Sequence, residues 1–256
     1  MKTSFKNVHL VLRREFLELR SLKAILPIFV FAALQFFISV VSKSHGRAED
    51  TILVFQIGGI LAIILSFDLV AKERENHTID LLLTQGISRQ GLFAAKWCAM
   101  LAFCLLGGMA FLLGNALGML MHGLSINIAD LLIESAMVFW LFTVYGSCAL
   151  LFSVLFRRAK MALAGSVLVW LMFRPPVLAL LIFNPLKQAF HWSQTLIWQA
   201  LAFMPEFAFH IGVDPIRGVP DGVSIQVAWS FFALAGYVIL LGLTAVGVFT
   251  KQDETM

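Results

Sequence analysis

Charge is what this sequence has least of. Asp, Glu, Lys and Arg make up 13% of its 256 residues, about half the share of a typical soluble domain, so a water-dissolved globule is excluded at the outset. Cysteine is sparse too: Cys98, Cys104 and Cys148 all fall in apolar runs without C-x-x-C spacing. That pattern argues against a disulfide framework and against a thiolate zinc site, and the three read as packing residues. The phosphate-cradling pattern G-x-x-x-x-G-K-[ST] is missing, so the chain carries no ATP-hydrolysing motif. An intramembrane protease or transferase needs catalytic groups paired at one depth. Here His9, His45, His77, His122, His191 and His210 all sit in loops or interfaces. The net charge of +4 does not point to nucleic acid, because the basic residues flank apolar segments.

What the sequence does have is apolar bulk: 60% hydrophobic residues, with 24 Phe and 6 Trp, and a mean hydropathy of +0.88. Crossing a hydrocarbon core of about 30 Å takes roughly 20 helical residues. Six runs qualify, at Ala24–Val41, Thr51–Val70, Phe93–Met121, Leu131–Phe156, Met161–Phe183 and Val227–Thr250. The expected fold is an all-α polytopic membrane protein, one transmembrane domain over residues 1–256 with no separate soluble unit. No cleavable signal is evident, since six basic residues precede the first run. Fourteen of the 19 Lys and Arg fall on the side of both termini, leaving Lys43, Arg47, Arg174, Lys187 and Arg217 on the other. By the positive-inside rule both termini are cytoplasmic.

Ahead of the first run, residues 4–22 place Phe5, Val8, Leu12, Phe16 and Leu19 on one helical face and Lys6, Arg13, Arg14, Glu18 and Arg20 elsewhere. Such a helix lies in the membrane interface. Between the second and third runs comes KERENHTIDLLLTQGISRQG, residues 72–91. Asn76 or Thr78 can cap a short helix through Leu83, and Gly86 suits the left-handed residue that closes it. Ser88 can cap the next helix, with Ile87 and Leu92 as its hydrophobic staple. Asp68 and Lys72 are spaced for an i, i+4 ion pair.

This loop resembles the signature of ABC-2 type transporter permeases: Glu-x-Glu-x-Gly-Thr, a leucine-rich helix, a Pro-x-Ser-Arg turn and a Gly-Lys leading into the third span. Glu73, Glu75, Thr78, Leu81, Leu82, Leu83, Ser88, Arg89 and Lys96 fall on the pattern, while His77 replaces the usual Gly and Gly86 the usual Pro. The resemblance continues through the lead helix and the six runs to the aromatic-Lys-x-Asp end at Phe249–Asp253. It implies a permease subunit in the cytoplasmic (inner) membrane of a prokaryote, in which residues 76–86 form a coupling helix. Glu73, Arg74, Glu75, Thr78, Asp80, Leu82 and Arg89 would contact a separate ABC ATPase subunit, which holds ATP and Mg²⁺, while this chain binds no cofactor. A second permease copy or a homologous permease would complete the pair in contact with membrane lipids, and the implied activity is export. The alternative is a non-transporting subunit that relays ATPase motion to a periplasmic partner, for example in metalloenzyme maturation.

Polar residues inside the runs are the natural candidates for a pathway: Gln35, Gln56, Asn115 and Glu134. They serve equally to hydrogen-bond helices to one another, and Gly114 with Gly118 forms a small-xxx-small packing pair. After Arg174-Pro175-Pro176 the fifth run either bends and completes, or leads into a re-entrant outer segment spanning residues 177–226. Within that segment Glu206, His210 and Asp214 recur at i, i+4 and i+8. Gly212 and Pro215 interrupt this row, which makes it a weak metal candidate.

Overall fold

A computed structural model of the protein describes residues 11–15, 17, 22–41, 57–84, 87–123, 127–172, 205, 208 and 223–251. These are helices and the short turns between them, with no strand among the described residues. A helical stretch at 11–15 precedes α1 (Leu22–Val41), α2 (Gly59–Ser66), α3 (Ala71–Glu75), α4 (Thr78–Thr84), α5 (Arg89–Met121), α6 (Ile128–Leu155), α7 (Ala159–Met172) and α8 (Val223–Lys251). Three of them, α5, α6 and the Ala228–Lys251 part of α8, are long and apolar enough to cross a membrane, and α1 and α7 contain shorter apolar helices.

The bundle is organised around α6. Every residue from Leu141 to Leu150 is buried, and α6 packs against α2, α5, α7 and α8. A helix covered on all sides is a central staff rather than a lipid-facing wall. Hydroxyls within the helices satisfy themselves locally: Ser135 donates to Leu131 O, Thr143 to Phe139 O and Ser166 to Ala162 O, as a medium without water demands. The outer surface is apolar, with Phe29 and Phe37 on α1, Leu113 and Leu117 on α5, and Phe232, Leu240 and Leu243 on α8 all exposed. Such a surface is natural against lipid and untenable in water.

On α1 the buried residues are Phe31, Gln35 and Ser39, one turn apart. Gln35 and Ser39 face α5 where Gly114 and Gly118 remove side chains, while the Phe31 ring meets Phe142 of α6. A Cβ on Gly114 would press on the Ala32 carbonyl, and one on Gly118 would overlap Ser39. The small-residue pair therefore admits close approach of two backbones, as the spacing predicts. Further along, the Val40 carbonyl accepts from His122 Nε2 at 2.9 Å, so the C-terminal ends of α1 and α5 meet. At the opposite end Phe93 of α5 lies 6.0 Å from Phe249 of α8. The starts of α1 and α5 and the ends of α6 and α8 thus share one end of the bundle, where the described charges gather.

Several helix bounds differ from those of the apolar runs, with α6 beginning at Ile128 and α8 at Val223. The second run, expected to reach Val70, ends its helix at Ser66 with Phe67 as C-cap, and residues 67–70 turn before α3. The third is expected to begin at Phe93, but α5 starts four residues earlier behind Ser88. Arg174-Pro175-Pro176, residues 177–222 and the first ten residues lie outside the described part, except for residues 205 and 208, and α8 begins inside the stretch expected to form the outer segment.

Candidate functional site at the charged end of the bundle

The turn after α2 is built by a serine more than eighty residues away. Fully buried Ser153 on α6 accepts from the amides of Val70 at 3.0 Å and Ala71 at 2.8 Å. These are the N-cap and first residue of α3, where a helix has amides without intrahelical partners. A hydroxyl from another helix does here what a local cap residue normally does, which explains why the second run breaks. Asp68 and Lys72 form the expected pair at 3.9 Å across this turn.

Between α3 and α4 the chain reverses at His77, whose φ of 55° is left-handed. Thr78 Oγ1 donates to Glu73 O at 3.1 Å and closes the turn. A residue without a Cβ fits such a position best, which gives a physical reason for the glycine usual in the signature. After α4, Ser88 caps α5 by accepting from Gly91 N at 3.1 Å. Ile87, Leu92 and Leu82 are all buried in one apolar cluster.

Three of its own side chains fasten α3 to the rest of the bundle. Arg74 Nη1 donates to the Val154 carbonyl at the end of α6, and its guanidinium lies 5.5 Å from the Phe249 ring centroid of α8. Burial, then the positive charges of Arg89 and Arg157, pull the Arg74 pKa below its ordinary value. Glu75 Oε2 accepts from Ala159 N, the first residue of α7, at 3.4 Å. Glu73 Oε1 accepts from Lys96 Nζ of α5 at 2.8 Å, and Lys96 donates at 2.6 Å to Glu15 of the N-terminal helix. The three partners of that last set are all buried.

Of the residues expected at a partner surface, Glu75 is exposed, and Arg74, Thr78 and Arg89 are half-buried. Asp80 lies on α4, its side chain outside the described part. Glu73 and Leu82 are turned into this chain, and Leu81, 61% exposed, is the large apolar side chain that α4 presents outward. Of the pathway candidates, Gln35 and Asn115 both lie at the seam of α1 and α5. Ser39 Oγ donates to Asn115 Oδ1 at 3.3 Å, while fully buried Gln35 has no hydrogen-bond partner for its amide. Glu134 is buried on α6, and Gln56 lies outside the described residues, as do Glu206, His210 and Asp214. No cluster of three His, Cys, Asp or Glu fit for a metal occurs among the described residues.

Sequence reasoning missed Ser153, Glu15 and the central place of Lys96. A signal for Glu15 was available, because it stands seven residues after Val8 and three after Leu12, on the apolar face of the lead helix. A carboxylate there requires a buried cation.

The profile of the family described as ABC-2 family transporter protein matches residues 49–253, from before α2 to the end of α8. The chain belongs to this family. No curated protein matches it significantly. As an ABC-2 family member it is a multi-pass membrane protein and the permease component of a transporter, of a kind that generally partners ABC ATPase subunits.

Proposed function

We propose that this ABC-2 permease couples ATP hydrolysis, carried out by a separate ATPase subunit holding ATP and Mg²⁺, to export across the inner membrane of a prokaryote. Export is the direction that the family likeness favours. The six apolar runs cross the membrane with both termini on the ATPase side, and a second copy or a homologous permease completes the pathway. The observation that carries this reading is the fastening of α3. Through Ser153, Arg74, Glu75 and Glu73 it is bonded to α5, α6 and α7 and packed on α8. A load applied to the adjoining α4 therefore reaches several spans at once, which a flexible loop would not achieve. Exposed Leu81 and Glu75, with Thr78, Asp80 and Arg89 around them, are the surface that the ATPase would seat on.

The test is purification of the tagged protein from its native membrane in mild detergent, wild type against Glu75→Lys/Leu81→Asp. Leu81 is exposed, and Glu75, also exposed, gives up one long bond of 3.4 Å to Ala159 N, so the thermal unfolding midpoint should fall only slightly while recovery of the ATPase falls about 10- to 100-fold. Undiminished recovery with the double variant would remove the coupling surface from α4. Absence of any ATPase with the wild type would remove the coupling role altogether.

A further inference from the structure

Lys96 sits two turns inside α5 and is 3% exposed. An ammonium that deep is tolerable only with opposite charge at hydrogen-bonding distance. It has two such partners, from two different elements: Glu15 Oε1 at 2.6 Å and Glu73 Oε1 at 2.8 Å. A fourth charge stands beside them, since Arg14 Nη2 lies 3.8 Å from the same Glu73 oxygen, with about half its side chain in solvent. Two acids and two bases thus form a neutral set where the N-terminal helix, α3 and the foot of α5 converge.

Apolar contact also reaches this junction. Of the described residues before α1, Val11 and Glu15 are the buried ones, with Leu12 half-buried against the core. Apolar contacts are non-directional and permit sliding. Charge-assisted hydrogen bonds fix distance and direction, and breaking one here strands a buried ion. The chemistry of lysine also matters: its compact ammonium has three donors that can serve carboxylates arriving from different sides, whereas the planar fork of arginine suits one carboxylate gripped in its own plane.

We propose that Lys96 is a positioning residue for energy coupling. It joins the helix at 11–15 and α3 to α5, so that interface helix, coupling element and third span move as a single body through the ATPase cycle. This rests on the coupling role proposed for α3 and α4. It adds that the N-terminal helix is part of the moving unit, tied to α3 and α5 through the shared lysine.

Spin labels at Arg13→Cys and Lys72→Cys, both exposed positions, test the joint by pulsed dipolar distance measurement after the three native cysteines are replaced by alanine. With Lys96 intact, the purified permease should give a narrow distribution, and the complex with its ATPase should give the same one without nucleotide and with ATP trapped. Lys96→Met should broaden it at least twofold. Glu15→Lys/Glu73→Gln/Lys96→Glu, which restores an opposite pair across the same gap without setting two carboxylates against each other, should narrow it again. A narrow distribution in Lys96→Met overturns the proposal, as does a shift on ATP trapping in the intact protein. Should Lys96→Met fail to fold, the swapped pair decides alone: narrow supports the joint and broad overturns it. The measurement on the permease alone needs no ATPase, so loss of the coupling role and loss of the joint give separate results.

Discussion

Single residues at the charged end do work that their identity alone does not announce. At His77 a side chain occupies left-handed backbone, at a steric cost of about 1–2 kcal/mol for an L-residue other than glycine. His77→Gly removes that cost but adds backbone entropy to the unfolded chain, about 0.5–1 kcal/mol, so its net effect on thermal unfolding should be small. His77→Val, β-branched at a positive φ, should lower stability by about 1–2 kcal/mol; equal midpoints for the two variants would contradict the turn geometry. At Ser153 the expectation is sharper. Ser153→Ala leaves the buried amides of Val70 and Ala71 without their acceptor, at about 1–3 kcal/mol for each orphaned group. Hydrogen exchange at these two amides should accelerate on the order of 30-fold or more, while Ser153→Thr, which keeps the hydroxyl, should remain close to wild type. The Ser88 cap and the Asp68–Lys72 pair could be read directly from the sequence because each closes within four residues. Ser153 could not, because the amides it serves lie 82 and 83 positions away.

Between elements, what was legible is periodicity, and what was not is which faces meet. Gly114 and Gly118 announce a close helix contact, but nothing in their spacing says that α1 answers it with Gln35 and Ser39. The contact makes a prediction in which one chemical change takes two signs. Gly118→Ala puts a methyl into Ser39 and should cost about 1–3 kcal/mol in thermal unfolding. Gly236→Ala on α8 meets no atom of the described residues within 4 Å and should be neutral or stabilising by up to about 1 kcal/mol, since alanine is the better helix former. Equal effects at the two sites would mean that the α1–α5 seam is looser than the Gly118–Ser39 contact implies. The same limit explains the lead helix. Its stripe of Phe5, Val8, Leu12, Phe16 and Leu19 was visible, but the buried pair Val11 and Glu15 follows from where Lys96 sits on another element.

For the whole molecule, the fold class followed from composition alone, because a chain this apolar and this poor in charge has few alternatives to a helical bundle in lipid. Its orientation is a separate physical question, decided by where the basic residues lie. The described contacts put Lys72, Arg74, Arg89, Arg157 and Lys251 at the end that holds Phe249, and put Met121 and His122 at the end that meets Val40. If the positive-inside rule governs insertion, the first end faces the cytoplasm and Met121 faces outward. Cysteines at the exposed positions Met121 and Lys160, in a background with the native cysteines replaced by alanine, distinguish the two orientations. A membrane-impermeant maleimide should label Met121→Cys in intact cells and Lys160→Cys only after the inner membrane is opened. The reverse pattern would place the charged end outside, beyond reach of a cytoplasmic ATPase, and would overturn the coupling role of α3 and α4 while leaving the Lys96 joint and the packing around α6 intact.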